Sequence, residues 1–269
     1  MFRLKVFITG ASSGFGAAAA RKFAQDRNQQ EPCKLILAAR SLDKLTALAA
    51  ELTASTSSSS SNQCHIHVAA LDVTKPESVA AFFATLPEEF QPIDVLINSA
   101  GLALGLEPAH KVDFSDWETM IDTNITGMLR VTSAVLPGMV ERNRGHIINI
   151  GSTAGNWPYP GGNTYGGTKA FVQNFSRGLR ADLLGKRIRV TCIEPGMSET
   201  NFSNVRFKGD DAKADKVYEG TKPLSAEDIA DIIHWVNAMP AHVNINTLEV
   251  MPTCQSWSAL AVNRTMESE

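Results

Sequence analysis

The sequence predicts an α/β fold: one doubly wound parallel sheet of about seven strands, with helices on both faces, in a single domain spanning residues 1–269. Three observations predict it. Short runs of aliphatic and β-branched residues recur at 4–9, 34–39, 65–70, 93–98, 146–150, 188–193 and 246–250, and helix-length segments separate them. The first run leads directly into a turn that carries Gly10, Gly14 and Gly16. Gly10, Arg40, Asp72, Asn98, Ser152 and Pro195 all fall at or just past the carboxyl ends of predicted strands. Alternating strands and helices impose right-handed crossovers and leave the ligand cleft at those carboxyl ends.

The first strand ends in Gly10-Ala-Ser12-Ser13-Gly14-Phe15-Gly16, and a helix is expected over 17–27. Glycines here permit a tight turn and let backbone N–H groups approach a pyrophosphate, whose charge suits the positive end of the following helix. The second strand runs into Arg40-Ser41, with no acid to hold ribose hydroxyls. A guanidinium beside a hydroxyl suits a 2′-phosphate instead, so the expected cofactor is NADP. Between the second helix and the third strand, the serine run over 55–61 is expected to be an exposed loop. The segments over 116–141 and 163–184 are expected to be long helices, apolar on more than one side, which suits either core packing or burial between subunits.

Proton-transfer chemistry is suggested by Ser152 followed by Tyr165 and Lys169. Residues four apart on a helix share a face. A free tyrosine ionises near pH 10, so a phenol that works as a base needs a neighbouring cation, which Lys169 would supply.

Taken in order, these residues resemble the short-chain dehydrogenase/reductase family, with its Rossmann-type sheet. Its phosphate turn is similar to 9–16, its adenine contact to Asp72-Val73, and its Asn-Asn-Ala-Gly element to Asn98-Ser99-Ala100-Gly101, where Ser99 departs from the pattern. The resemblance implies four catalytic positions, Asn124, Ser152, Tyr165 and Lys169, with Asn98 beside the cofactor. It also implies that Pro195-Gly196 opens a loop over the nicotinamide, with Thr200 on its carboxamide. A closer resemblance, to the NADP-dependent 3-hydroxy acid dehydrogenases, is carried by residues 101–105, 116–124, 204–211 and 241–249. It implies a 3-hydroxy acid substrate of the serine, allo-threonine, 3-hydroxyisobutyrate or 3-hydroxypropionate type, a substrate lid over about 197–225, and a homotetramer. A carboxylate substrate needs a cation aimed at it. Arg206 is the first candidate and Lys208 the second, each with surface pairing to Asp210 or Asp211 as the alternative; Trp157 and Tyr159 are candidates for the wall beyond Ser152. The competing functions are a reductase of another carbonyl class and a non-catalytic NADP sensor.

Composition narrows the rest. A chain of 269 residues that is 43% hydrophobic can bury one large core, and a net charge of -3 with scattered Lys and Arg argues against nucleic acid. No apolar run approaches the roughly 20 residues of a membrane span and no export leader is visible, so a cytoplasmic enzyme without membrane contact is expected. Cys33, Cys64, Cys192 and Cys254 form no C-x-x-C motif and are expected to be reduced. His65 and His67 lack a third ligand at a matching spacing, so no metal is expected.

Overall fold

The computed structural model describes residues 4–26, 33–56, 64–200 and 202–257. Seven strands, β1 (Lys5–Thr9), β2 (Lys34–Ala39), β3 (His65–Ala70), β4 (Val95–Asn98), β5 (Gly145–Ile150), β6 (Ile188–Pro195) and β7 (Thr247–Val250), form a single sheet in the order β3-β2-β1-β4-β5-β6-β7. Every pairing is parallel. Strand order diverges between β1 and β4, where Thr9 pairs with Asn98. Connections leave in opposite directions there, and the crevice opens at that point.

Among the described residues nine α-helices accompany these strands: α1 (Gly14–Gln25), α2 (Leu42–Thr56), α3 (Pro76–Thr85), α4 (Phe114–Ile121), α5 (Met128–Arg142), α6 (Asn163–Asp182), α7 (Phe202–Arg206), α8 (Asp211–Lys216) and α9 (Ala226–Ala238). Side chains alternate across a strand, so β1 divides its residues between two cores. Val6 and Ile8 pack with Ala17–Ala20 and Phe23 of α1 and with Ile229 and Ile233 of α9. Phe7 joins Val79 and Phe82 of α3, Val131 of α5 and Leu179 of α6 on the other face. Phe7 stacks on Phe82 at 4.9 Å between ring centroids. Burying a side chain of this size stabilises the fold by about 1.5–3 kcal/mol.

Several boundaries differ from the sequence expectation. α1 begins at Gly14, not at residue 17, which brings its first turn into the glycine loop. The segment expected as one helix over 116–141 is α4 and α5 joined by a π-turn, Asp122–Gly127. Helical periodicity continues through such a turn, so the pattern hides it. Of the serine run, Ser55 belongs to α2 and residues 57–61 lie outside the described residues. Cys33 and Cys64, far apart in sequence, are free thiols with their Sγ atoms 3.4 Å apart, because parallel pairing sets the starts of β2 and β3 side by side. His65 lies 3.8 Å from Glu89 and the His67 ring leans on Phe90, so neither histidine stands free.

Candidate active site

A cleft of about 500 Å³ opens over the carboxyl ends of the central strands. At one end lie Gly10, Ser13, Gly14 and Phe15, with Arg40, Asp72 and Val73 beside them. Gly10 has φ +67° and sits so close to the next strand's exit that a Cβ would stand 2.8 Å from the Ala100 nitrogen. A Cβ on Gly16 would stand 2.5 Å from the Gly10 carbonyl oxygen, so that glycine lets α1 approach the turn. No side chain caps the N-terminus of α1, whose first N–H groups are left for an anion. Thr9 fixes the opposite loop by accepting from the backbone N–H groups of Ser99 and Ala100, each at 3.2 Å.

Asp72 accepts from the backbone and hydroxyl of Thr74 at 2.9 and 2.7 Å. Burial pushes its carboxyl up, but these bonds and the Arg40 guanidinium outweigh it and hold Asp72 below the usual carboxylate range. The donors present, an exposed guanidinium and an uncapped helix start, fit a dinucleotide that carries a 2′-phosphate.

Not every predicted cofactor residue faces the cleft. Gly16, the half-buried Ser12 and the exposed Ser41 are not part of its lining, and Asn98 is turned beneath the floor. Asn98 donates to Thr132 Oγ1 at 3.0 Å and Asn149 Oδ1 at 2.8 Å, and Asn149 donates on to Ser176 at 2.9 Å. That polar ladder crosses β4 and β5 below the cleft. Ser99, the departure from the family's pattern, is the residue on the cleft wall. Strand alternation places the two on opposite sides.

At the centre, α6 carries Tyr165 and Lys169 on one face, with the Lys169 Nζ 5.8 Å from the Tyr165 ring centroid. Lys169 donates to the Ile150 carbonyl at 2.8 Å. Burial lowers its pKa to about 8, opposed by the Cys192 thiol. Burial likewise raises Tyr165 to about 12; the Ser152 hydroxyl and the Arg206 guanidinium pull it back, and Tyr159 adds to the rise. Lys169 stands over the ring, and the groups that pull the phenol down against its burial are Ser152 and Arg206. An apolar shell of Leu102, Ala103 and Met120 denies the phenolate hydration, and the cation acting on the ring from the cleft side is Arg206.

Ser152 caps a short turn by accepting from the Ala154 N–H at 3.1 Å, and its hydroxyl points to the Pro195 carbonyl at 3.4 Å. Asn124 lies in the π-turn, buried, behind the lining. Its side chain clasps Leu102 in both directions at 2.8 Å and donates to Thr168 at 3.0 Å. Gly101 lies against it: a Cβ there would meet Asn124 Oδ1 at 3.3 Å and Lys169 Nζ at 3.6 Å. Asn124, Lys169 and Gly101 thus converge.

The far end is walled by Trp157, Tyr159, Phe202 and Arg206. Arg206 donates to the Tyr159 hydroxyl, and its guanidinium carbon lies 5.2 Å from the Tyr165 ring centroid and 5.4 Å from that of Phe202. Among the described residues it has no carboxylate partner, whereas Lys208 pairs with Asp116 at 2.9 Å, not with Asp210 or Asp211. Thr200 stands opposite Gly14 and accepts from the Phe202 N–H at 3.2 Å.

The sequence reading missed the contribution of 251–257. Gln255 accepts from the Met197 N–H at 2.7 Å, and the indoles of Trp157 and Trp257 both donate to Glu249, at 2.8 and 2.9 Å. Met251, Gln255 and Trp257 close the cleft's last side. A signal existed: these residues directly follow the last strand, and its carboxyl end faces the cleft like the others.

The short chain dehydrogenase family profile matches residues 5–211, more than half of the chain. The chain belongs to the short-chain dehydrogenases. Within them it is 53% identical over 260 residues to the NADP-dependent 3-hydroxy acid dehydrogenase YdfG of Escherichia coli strain K12, covering 96% of this chain and 99% of that one. It is 51% identical to sulfoacetaldehyde reductase 2 of Chromohalobacter salexigens, over 96% of this chain and 98% of that one. Among solved short-chain dehydrogenases, the closed form of a serine dehydrogenase complexed with NADP+ superposes with a TM-score of 0.89 at 52% identity, covering 97% and 99% of the two chains.

Proposed function

We propose that this short-chain dehydrogenase moves a hydride between NADP and a small 3-hydroxy acid of the serine, allo-threonine, 3-hydroxyisobutyrate or 3-hydroxypropionate type. The observation that carries the proposal is Arg206, a cation without a carboxylate partner among the described residues, held against the ring of Tyr165. A substrate anchored there by its anion presents a nearby hydroxyl to the phenol. The named activities of relatives support this reading. One acts on 3-hydroxy acids and another on a sulfonated aldehyde, and both substrates carry a terminal anion.

Bound NADP would supply the hydride acceptor and, when oxidised, a positive ring beside the phenol. The chain's own residues do the rest. Arg40 and Ser41 hold the 2′-phosphate, the 10–16 turn holds the pyrophosphate, and Asp72 with Val73 borders the adenine. Thr200, after Pro195-Gly196, takes the carboxamide. Ser152 orients the reacting oxygen, Tyr165 accepts or returns its proton, and Lys169, still largely cationic near neutral pH, adds positive charge to the same field. Asn124 fixes the backbone at Leu102 and seats a water beside Lys169 for proton exchange. The segment over 197–225 serves as the substrate lid.

The direct test incubates the purified protein with NADP or NAD and each hydroxy acid, and follows reduced cofactor by absorbance. Turnover with at least one hydroxy acid, faster with NADP, is expected; turnover only with uncharged ketones or acyl thioesters would replace the reading by a reductase of that class. Arg206→Ala should raise KM for the hydroxy acid by roughly 10- to 100-fold and leave KM for NADP nearly unchanged.

A cytoplasmic homotetramer is part of the same proposal. Among the described residues no helix is long and apolar enough to cross a membrane. Phe114 is 65% and Ile121 42% exposed on α4, apolar surface that a subunit interface would cover. Sedimentation velocity gives the state directly.

A further inference from the structure

Three of the four stretches that carry the closer resemblance meet at the wall of the cleft that holds Arg206, through Gly105, Asp116 and Lys208. They are 101–105, 116–124 and 204–211. We infer that Lys208 and Asp116 form a positioning pair, which holds Arg206 against Tyr165 without itself touching substrate. The inference rests on Arg206 as the receptor for the substrate anion.

Arg206 is poorly fixed by its own side chain. Its guanidinium has the Tyr159 hydroxyl and three aromatic rings as neighbours, and its buried Nε has no partner among the described residues. Its place therefore depends on where the backbone at the end of α7 is held. Two ties hold it. The Gly105 N–H donates to the Arg206 carbonyl at 2.8 Å, and two residues later the Lys208 ammonium reaches Asp116 in the first turn of α4 at 2.9 Å. Both ties lead to the same wall of the cleft.

Lys208 also occupies an unfavourable position. It has φ +53°, directly after α7, where the chain ends a helix in the left-handed region that glycine or asparagine normally fills. Its neighbour Gly209 has φ +89° and would serve such a turn without strain. A lysine here is accounted for by what its side chain reaches. Asp116 is only 15% exposed while the Lys208 side chain is 59% exposed, so the pair is solvated at one end and contributes up to about 1 kcal/mol, enough for a several-fold effect. Asp113, which caps α4 through Ser115, also lies in the field of Lys208, so the whole start of α4 is acidic toward α7.

The test measures KM for L-serine and for NADP in Lys208→Met, Asp116→Asn, Lys208→Arg, Arg206→Ala and the double variant Arg206→Ala/Lys208→Met. Lys208→Met and Asp116→Asn should each raise KM for L-serine by about five-fold and leave KM for NADP unchanged, and Lys208→Arg should restore most of it. Adding Lys208→Met to Arg206→Ala should change nothing further, because the lysine acts through the arginine. A further rise in the double variant would make Lys208 a substrate contact and overturn the inference, as would wild-type KM in Lys208→Met. Equal rises in both KM values would show a general loosening and overturn it too. An unchanged KM for L-serine in Arg206→Ala removes the receptor reading and the pair with it. Failure confined to the Lys208 and Asp116 variants removes only the pair.

Discussion

The Tyr165 hydroxyl sits in surroundings that oppose its ionisation, with a pKa of about 12. Its acid form is therefore ready for reduction at neutral pH, while the base form needed for oxidation is favoured only as pH rises and as the oxidised ring would add its positive charge. Reductive kcat should be flat through neutrality and fall only in alkali, and oxidative kcat should climb over the same range; rates measured in both directions across pH check this. Tyr165→Phe should lower kcat by roughly 1000-fold while fluorescence titration finds NADPH binding intact. Arg40→Ala should raise KM for NADP by about ten-fold or more and barely affect NAD, since only NADP carries the phosphate that Arg40 is proposed to hold. The type and spacing of Tyr165, Lys169 and Arg40 singled them out in the sequence, and the fold brings all three to one cleft. The facing of Asn98 and Ser99 was not readable, because adjacent residues at a strand end go to opposite sides and either can reach a cleft. The burial of Tyr165 was equally hidden, since the side chains that dry it come from residues 102, 103 and 120, far from it in sequence.

Elements show the same division. The strands stood out because parallel strands buried on both faces read as unbroken apolar runs. Where they end was less visible: β6 continues to Pro195, and α1 starts at Gly14 although glycine weakens a helix. Close approach explains that choice. Gly16→Ala would drive a methyl into the Gly10 carbonyl, so it should lower Tm by several degrees and abolish NADP binding in the same preparation. Gly178→Ala is the control: it lies on α6 with nothing within 4 Å of its added Cβ, and it should stabilise the protein by about 0.5–1 kcal/mol in a denaturant titration. The π-turn between α4 and α5 escaped detection because an inserted residue leaves apolar spacing nearly intact while it redirects Asn124 inward.

For the molecule as a whole, one strongly shifted buried group is remote from the chemistry. His146, 1% exposed at the start of β5, bonds Thr191 and Asn237. Burial, aided by the charge of Arg189, lowers it from 6.5 to about 3. Between those values the unfolded chain binds a proton that the folded one refuses, so stability falls as pH falls through that window, by up to about 5 kcal/mol. Melting curves of wild type and His146→Asn over this range should diverge, with the variant the flatter of the two. Sequence placed His146 on a strand but gave no hint of its enclosure, which depends on β6 and α9. The last strand ends at Val250, yet the chamber owes its last side to Gln255 and Trp257 beyond it. The residues that complete the sheet are therefore not the ones that enclose a reactant.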